Sequence, residues 1–416
     1  MILQSFLGFL VFIGIAWLIS ENRSQIHWKL IFIGVATQFF LGLLFFRVPF
    51  FQVAISKLNG FVLAIEQSTR AGTSMVFGYL GGGALPFEEP FPGASFILAF
   101  NALPVILVIS ALSSLFFYWR ILPTIIRVFS YLLEKTLKIG GAEGLGLSAN
   151  IFVGMVESPL LIRPYIHKLT RSELFSILSC GMATVAGTVI VLYASILSSL
   201  EPNALGHILI ASVISVPAAY VISKIIIPET SEITKASLEK DPIITSAFQA
   251  ITEGTTQGIK LLVNVIAMLI VMVALVELIN IALSMLPELN NQPLTLQRIL
   301  GILFSPIAWL IGIPWEDALI AGSLLGTKSV INELVAYLSL VNLPEGTLSP
   351  TSTTVLIYSM CGFANPGSLG IMIGGLTALA PNRKQEIIEL SVKSMLSGTL
   401  AAFMTGSVAS IFLLIR

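Results

Sequence analysis

Apolar residues run along most of this chain in blocks of about twenty, and short polar segments separate the blocks. About 20 apolar residues in a helix are needed to cross the hydrocarbon core of a bilayer. The pattern therefore predicts eight membrane-spanning helices, at residues 3–20, 28–45, 95–119, 174–197, 205–227, 259–285, 353–379 and 396–415. Because no basic segment precedes the first block and no small-residue cleavage site follows it, we interpret that block as a span and not as a signal peptide.

Two other segments, 54–77 and 120–138, mix charged and apolar residues at helical spacing. This mixture is typical of amphipathic helices that lie in the membrane interface. The polar segments 228–242 and 287–293 are predicted to be loops between spans.

Lys and Arg residues near the span ends predict the orientation, because cytoplasmic loops carry more of them. Arg23 and Lys29 lie between the first two spans, and Arg383, Lys384 and Lys393 precede the last one. Placing both groups in the cytoplasm predicts that the two chain termini lie on the outer side.

Composition agrees with a polytopic membrane protein and argues against several other classes. Hydrophobic residues make up 56% of the 416 residues and charged residues only 11%, whereas soluble domains carry roughly 25% charged residues. The net charge is zero, so nothing indicates nucleic-acid binding. The three histidines are far apart, and the two cysteines, Cys180 and Cys361, lie in apolar runs. We therefore expect buried thiols, no metal centre other than a coupling ion, and no cofactor.

One apolar segment is interrupted by polar and helix-breaking residues: Ser148-Ala-Asn-Ile-Phe-Val-Gly-Met-Val-Glu-Ser-Pro-Leu-Leu-Ile-Arg-Pro-Tyr165. A carboxylate such as Glu157 costs roughly 2.5–3.5 kcal/mol at membrane depth. Pro159 lacks an N–H and prevents a continuous helix. The segment therefore predicts a re-entrant hairpin whose freed backbone and carboxylate face a polar cavity.

An internal repeat places a second hairpin in the other half of the chain. Cys180-Gly-Met-Ala-Thr184 is echoed by Cys361-Gly-Phe-Ala-Asn365, and a carboxylate, Glu157 or Glu333, precedes each motif. Glu333 lies in the segment Gly326-Thr-Lys-Ser-Val-Ile-Asn-Glu-Leu-Val-Ala-Tyr337. Inverted repeats with discontinuous helices are typical of secondary transporters, whose solute site lies near the midplane of the membrane.

We therefore expect an all-α fold divided into an N-terminal part and two halves. These are residues 1–93; 94–252, with a hairpin near 144–170 and a broken span at 174–197; and 253–416, with a hairpin near 300–345 and a broken span at 353–379.

The polar residues of these segments indicate the chemistry of the site, although each has a structural alternative. Glu157 and Glu333 can bind a solute, or they can pair with Arg163 and Lys328 as structural ion pairs. Asn150 can cap a broken helix. The same caution applies to Asn365 and Ser368, which can satisfy the backbone freed by Pro366. Two carboxylates, an amide and a hydroxyl suit a neutral, hydroxyl-rich solute, because carboxylates accept hydrogen bonds from vicinal hydroxyls. An anionic solute would be repelled.

Several of these segments resemble the concentrative nucleoside transporter family. The resemblance rests on Ser148-Ala-Asn-Ile-Phe-Val-Gly, on Gly326-Thr-Lys-Ser-Val-Ile-Asn-Glu, on Cys361-Gly-Phe-Ala-Asn-Pro-Gly-Ser, and on Gly374-Gly-Leu-Thr-Ala-Leu-Ala-Pro-Asn-Arg. It covers nearly the whole chain. It implies a homotrimer in the bacterial inner membrane, with two re-entrant hairpins, interfacial helices and two unwound spans. The function that it implies is nucleoside uptake driven by sodium, or by protons in some members.

The resemblance also implies a role for each matching residue. Glu333, Asn365 and Ser368 are expected to hold ribose hydroxyls beside Phe363. Glu157 is expected to reach the base, with Val189 packed against it. The implied cation ligands are the side chains of Asn150 and Thr184 and the carbonyls of Val153 and Val185.

One departure from the family pattern affects the base side of this site. Family members read Gly-Gln-Thr-Glu-Ala-Pro where this chain reads Gly154-Met-Val-Glu-Ser-Pro159. Met155 and Val156 therefore replace two residues that can hydrogen-bond a nucleobase. We predict intact ribose recognition, weak base selectivity, and sodium in preference to protons as the coupling ion.

Three alternatives remain open at this point. The solute can be a different riboside or a small polyol. From other classes, the chain can be a membrane enzyme that uses Glu157 and Glu333 as an acid–base pair, or a non-transporting receptor or channel. No nucleophile or metal motif accompanies the two carboxylates, which disfavours the enzyme.

Overall fold

The computed structural model describes residues 1–89, 94–155, 157–234, 246–288 and 293–415. These residues form α-helices and short 3-10 turns, and the described part of the chain has no β-strand. In chain order the α-helices are α1 (Ile2–Leu18), α2 (Trp28–Arg47), α3 (Pro49–Phe77), α4 (Leu98–Asn101), α5 (Val105–Tyr118), α6 (Ile121–Leu137), α7 (Gly141–Asn150), α8 (Glu157–Leu161), α9 (Arg171–Ala183), α10 (Gly187–Leu197), α11 (Ala204–Ile226), α12 (Ala247–Leu283), α13 (Leu296–Ile311), α14 (Trp315–Val330), α15 (Glu333–Val341), α16 (Pro350–Met360), α17 (Pro366–Leu379) and α18 (Lys384–Leu414). The predicted all-α, polytopic architecture is confirmed.

Within the described residues, six helical segments are long and apolar enough to cross a membrane, counting α4–α5 and α9–α10 as one segment each. The others are α2, α11, α12 and the segment Pro381–Leu414 that contains α18. A seventh is formed if α13 and α14, which meet at a bend of 116°, are taken together. The first predicted span is the 17-residue α1, and the seventh is the broken pair α16–α17. The total of eight crossings stays a prediction.

The two predicted interfacial segments are helical. Segment 54–77 belongs to α3, which begins earlier, at Pro49, where proline suits the first turn. Segment 120–138 is α6, flanked by Arg120 and Lys138 in the left-handed conformation (φ 60° and 53°). Because that conformation ends a helix, α6 is separated from α5 before it and from α7 after it. Of the predicted polar loops, residues 235–242 and 289–292 lie outside the described residues.

The interior is formed by α9, α10, α11, α16 and α18, most of whose residues are buried. The long helix α12 lies at the periphery and contacts α5 through a stripe of small residues: Gly254 lies against Ser110 and Ser114, and Gly258 against Leu107 and Ser110. Small residues allow this close helix approach. The rest of α12 is apolar and largely exposed, so it faces lipid or another subunit.

An ion-pair cluster joins the ends of several helices on one face of the molecule. Arg171 pairs with Glu21 (3.0 Å) and Glu389 (2.7 Å), and Lys393 pairs with the same two carboxylates (2.6 and 3.3 Å). Burial acts to raise the pKa of Glu21, but hydrogen bonds from Arg171 and Lys393 outweigh it and hold the pKa below its ordinary value. The segment after α1 and the first turns of α9 and α18 therefore share one face. Which side of the membrane this is stays a prediction.

A second ion pair is buried at the base of the first hairpin. The Lys224 ammonium of α11 lies 3.0 Å from the Glu143 carboxylate of α7 and 3.6 Å from that of Glu229. It also donates to the Ser172 hydroxyl at the start of α9 (3.1 Å). Because a buried charge is stable only with a partner, this contact holds the hairpin base to α9 and α11.

Candidate functional site

The predicted first hairpin is present, and its tip meets a break in a neighbouring span. Helix α7 is followed by the non-helical residues 151–155, which form the tip before α8, and α9 and α10 are separated by non-helical residues 184–186. The Gly187 N–H at the start of α10 donates to the Phe152 carbonyl oxygen at the tip (3.2 Å). A Cβ at Gly187 would lie 2.3 Å from that oxygen, so glycine is required for the approach.

Several oxygen atoms lie close together where this tip meets the break. Asn150 is 1% exposed, and its side-chain N–H donates to the Gly146 carbonyl (3.1 Å). Its Oδ1 atom is buried and has no hydrogen-bond partner among the described residues. The Thr184 hydroxyl donates to the carbonyls of Asn150 (3.2 Å) and Cys180 (2.9 Å). The structure thus brings together the two side chains predicted as cation ligands, and Val153 and Val185 lie in the adjoining non-helical segments. A buried acceptor without a donor suits a hard cation.

The second hairpin is formed by α14 and α15, with Ile331 and Asn332 between them. The Asn332 side chain caps α15 by accepting the Val335 N–H (2.8 Å). This cap places Glu333 in the first turn of α15, where it is 4% exposed. A short N-terminal cap therefore orients the carboxylate that the sequence singled out.

The Glu333 carboxylate faces the break between α16 and α17. Asn365 caps α17, because its Oδ1 accepts the Ser368 N–H (2.9 Å). The same side chain donates through Nδ2 to Glu333 Oε2 (2.9 Å). Pro366 occupies the first turn of α17, where its missing N–H costs nothing. The predicted solute residues Glu333, Asn365 and Ser368 are thus adjacent.

Sequence reasoning missed Tyr193 on α10. Its hydroxyl donates to Glu333 Oε1 at 2.6 Å, and its ring packs on Tyr337 with centroids 5.3 Å apart. The only sequence signal was a tyrosine inside an apolar run, which needs a hydrogen-bond partner when buried. Glu333 therefore accepts a side-chain hydrogen bond on each oxygen.

The two hairpin–break junctions contact each other directly. The Phe363 N–H donates to the Thr184 carbonyl oxygen (3.3 Å). Gly362 has φ +154°, and a Cβ there would lie 2.9 Å from the Ala183 carbonyl oxygen. The backbone of one break thus touches the backbone of the other, and the candidate cation and solute residues lie on either side of this contact.

The other predicted residues are distributed around this centre. Glu157 is exposed at the start of α8, with its carboxylate beside Gly154. Met155 is 8% exposed and packs against Gly181 of α9, and Val189 is 5% exposed. Phe363 is half-buried. Val156 lies outside the described residues.

Lys328, the suggested structural partner of Glu333, interacts with it electrostatically but forms no salt bridge with it in the described part of the chain. Lys328 is completely buried on α14, and its ammonium has no hydrogen-bond partner among the described residues. The side-chain hydrogen bonds that Glu333 accepts come from Tyr193 and Asn365, which are neutral groups.

This arrangement defines a class of protein. Two hairpins meet two broken helices, and buried polar atoms collect where they join. Such non-helical backbone inside a polytopic membrane protein is typical of a secondary transporter.

The chain belongs to the Na+-dependent nucleoside transporter family. Family profiles described as "Na+ dependent nucleoside transporter N-terminus" and "Na+ dependent nucleoside transporter C-terminus" match residues 7–80 and 207–410. A third, described as "Nucleoside recognition", matches residues 99–200. The recognised resemblance is confirmed.

Bacterial relatives match along nearly their whole length. A protein of Bacillus subtilis named "Uncharacterized transporter YutK" is 36% identical, over 99% of this chain and 100% of its own. "Nucleoside permease NupC" of Helicobacter pylori is 34% identical, over 99% of this chain and 98% of its own. "Solute carrier family 28 member 3" of Mus musculus is 34% identical, but this chain spans only 58% of its length. The relatives are transporters and permeases, which decides against the membrane-enzyme alternative.

Solved structures share the fold. The structure described as "CNTnw in an inward-facing substrate-bound state" covers 99% of this chain and 98% of its own, at 34% identity and a TM-score of 0.90. A variant of CNTnw in an outward-facing state gives a TM-score of 0.93 at 34% identity, over 100% of this chain and 98% of its own. Similarity at this level extends over both hairpins and both broken spans.

Proposed function

We propose that this protein is a cation-coupled symporter that imports nucleosides or nucleoside-like ribosides. The observation that carries the proposal is the buried Glu333–Asn365 pair at the junction of the second hairpin and the second break. A backbone hydrogen bond from the Phe363 N–H to the Thr184 carbonyl connects this junction to the first one, where the Thr184 hydroxyl donates to the Asn150 carbonyl. A solute site and a cation site in this relation supply the physical basis of coupled transport.

The solute is proposed to bind through its sugar. A buried carboxylate with neutral donors on both sides attracts hydroxyl hydrogens and repels anions. Phe363 and Val189 supply apolar surface for a flat base, while Met155 and Val156 offer no strong donor or acceptor. Base selectivity is therefore expected to be weak, and another riboside or a small polyol is the alternative solute.

Sodium is the proposed coupling ion. The candidate ligands are all oxygen atoms: Asn150 Oδ1, the Thr184 hydroxyl, and the carbonyls of Val153 and Val185. Oxygen donors suit a hard cation, and the matching family profiles are described as Na+ dependent. A proton is the other candidate ion.

We further propose a homotrimer in the bacterial inner membrane. The exposed apolar side of α12, on the face away from α5, is the surface offered for assembly. An apolar helix of this kind is stable against lipid as well, so cross-linking in native membranes is the test of the oligomeric state.

The function is tested by uptake into proteoliposomes. Labelled uridine is supplied with an inward sodium gradient, with potassium replacing sodium, and with a protonophore. Accumulation above the external concentration that requires sodium and survives the protonophore is the expected result. Uptake that only equilibrates indicates a channel. Accumulation that ignores sodium and collapses with the protonophore reverses the choice of ion.

A further inference from the structure

Each oxygen of the Glu333 carboxylate accepts a hydrogen bond from a side chain, and the two side chains come from different parts of the fold. Asn365 belongs to the second broken span, whereas Tyr193 lies on α10, in the first one. Glu333 itself belongs to the second hairpin. Tyr193 is therefore the contact through which the first broken span reaches this carboxylate.

A count of acceptor positions shows what this leaves for a ligand. A carboxylate offers about four lone-pair positions, two on each oxygen. Tyr193 takes one on Oε1 and Asn365 takes one on Oε2. The backbone N–H of Glu333 itself also interacts with the carboxylate, so at least one of the four positions remains for a ligand. A free acceptor position here suits a hydroxyl of a vicinal diol.

Tyr193 is held firmly enough to fix this direction. It is 3% exposed, and its ring packs against Tyr337, which is itself buried and donates to the Ile357 carbonyl (3.0 Å). A phenol has few rotatable bonds, so ring packing determines where its hydroxyl points. Without that hydroxyl, Oε1 loses the Tyr193 hydrogen bond, and the carboxylate can rotate more easily about its terminal bond, which is a soft torsion.

We propose that Tyr193 is a positioning residue that orients Glu333 for a vicinal diol and so determines recognition of the sugar. The proposal rests on the proposed function and deepens it by assigning a residue to solute selectivity. It predicts that the Tyr193 hydroxyl contributes to binding only when the solute carries both hydroxyls.

The test compares Tyr193→Phe with the matched control Tyr337→Phe in purified protein reconstituted into proteoliposomes. Both changes remove one buried phenol hydroxyl from the same aromatic pair, but the Tyr193 hydroxyl donates to Glu333 whereas the Tyr337 hydroxyl donates to the Ile357 carbonyl. Apparent affinities for uridine and for 2′,3′-dideoxyuridine are measured by competition against labelled uridine. Tyr193→Phe is expected to weaken the apparent affinity for uridine about ten-fold and to leave the affinity for the dideoxy compound unchanged. In Tyr337→Phe the ratio of the two affinities is expected to match wild type.

A second variant covers the case in which Tyr193→Phe does not fold. Tyr193→His has a ring that ends short of the hydroxyl position and leaves space for water, which can hydrate Oε1. The same fall in the affinity ratio is expected. The proposal would be overturned if either Tyr193 variant lost affinity equally for both solutes or kept the wild-type ratio of affinities. It would also be overturned if the ratio fell equally in Tyr337→Phe.

Failure of the proposed function gives a different result. In that case wild-type protein accumulates no uridine, or it does not distinguish uridine from its dideoxy form. If wild type accumulates and discriminates while Tyr193→Phe retains the full ratio, only the role of Tyr193 is rejected.

Discussion

Replacing Glu333 by glutamine removes a charge and one acceptor oxygen while preserving volume. Glu333 now accepts from Tyr193 (2.6 Å) and Asn365 (2.9 Å). Glutamine has a single oxygen, so only one of these donors keeps a side-chain acceptor. Asn365 cannot compensate by turning its amide, because its Oδ1 caps α17 through the Ser368 N–H. We expect a net loss of about 0.5–1.5 kcal/mol in folding free energy, because the loss of one hydrogen bond to the carboxylate is partly offset by the removal of a buried charge.

The effect on the solute is expected to be larger than the effect on folding. The side chain loses one acceptor oxygen, and the oxygen that remains is neutral. A hydrogen bond to a charged group is worth about 1.5–3 kcal/mol, which corresponds to roughly a 10- to 150-fold rise in KM at 1.4 kcal/mol for each factor of ten. A 2′,3′-dideoxynucleoside makes no such bond, so its affinity should change little.

The assay is initial-rate uptake of labelled uridine at saturating sodium, with thermal unfolding of the purified protein in parallel. Glu316→Gln is the matched control, because Glu316 lies exposed in the first turn of α14 on the same hairpin. Wild-type KM in Glu333→Gln, with normal folding, would refute the reasoning. So would equal losses for uridine and its dideoxy form, because Glu333 would then not read the sugar.

The remaining predictions concern the candidate cation site at Asn150, the contact between the two helix breaks at Gly362, the buried ion pair of Lys224, and selectivity for the nucleobase. Asn150→Ala should raise the sodium concentration for half-maximal uptake on the order of ten-fold, since one of few oxygen ligands is lost, with less change at saturating sodium; an unchanged sodium titration places the ion elsewhere. Gly362→Ala should destabilise the protein by about 1–3 kcal/mol, because its backbone conformation is unfavourable to other residues, whereas Gly370→Ala, with open space around its Cβ, should be neutral in the same thermal assay. Lys224→Met should cost about 3–5 kcal/mol by leaving a buried carboxylate unpaired, whereas Arg171→Met, at a partly exposed cluster, should cost about 1 kcal/mol or less; similar melting temperatures for both would contradict this. Uridine and adenosine should compete within about an order of magnitude of each other, because packing alone discriminates weakly; strict base choice would show that polar groups read the base.

Hydropathy located the spans but not the full lengths of their helices. The runs 259–285 and 396–415 correspond to α12 and α18, which begin much earlier, at Ala247 and Lys384. The extra turns contain many polar residues, so they do not belong to the apolar runs that predict the spans. In α18 these turns are held by ion pairs of Glu389 and Lys393 with residues distant in sequence. Hydropathy identifies the part of a helix that lies in the hydrocarbon core, and it gives no signal for helical turns outside the membrane.

The sequence by itself determined the polytopic class, the two hairpins and the two broken spans. These follow from local causes: apolar runs long enough to cross lipid, and proline, glycine and carboxylate residues that a continuous membrane helix does not tolerate. It also singled out Glu333, Asn365, Asn150 and Thr184, because polar residues are rare at membrane depth.

Only the tertiary structure decided how these pieces meet. The hydrogen bond from Tyr193 to Glu333 joins residues 140 positions apart, and that from Phe363 to Thr184 joins the two breaks. Neither has a periodic or compositional signature, since a tyrosine or a backbone N–H in an apolar run looks the same whatever it contacts. The packing of the two halves against each other determines which donors reach the carboxylate, and under the proposed function it thereby determines which hydroxyls a solute must offer.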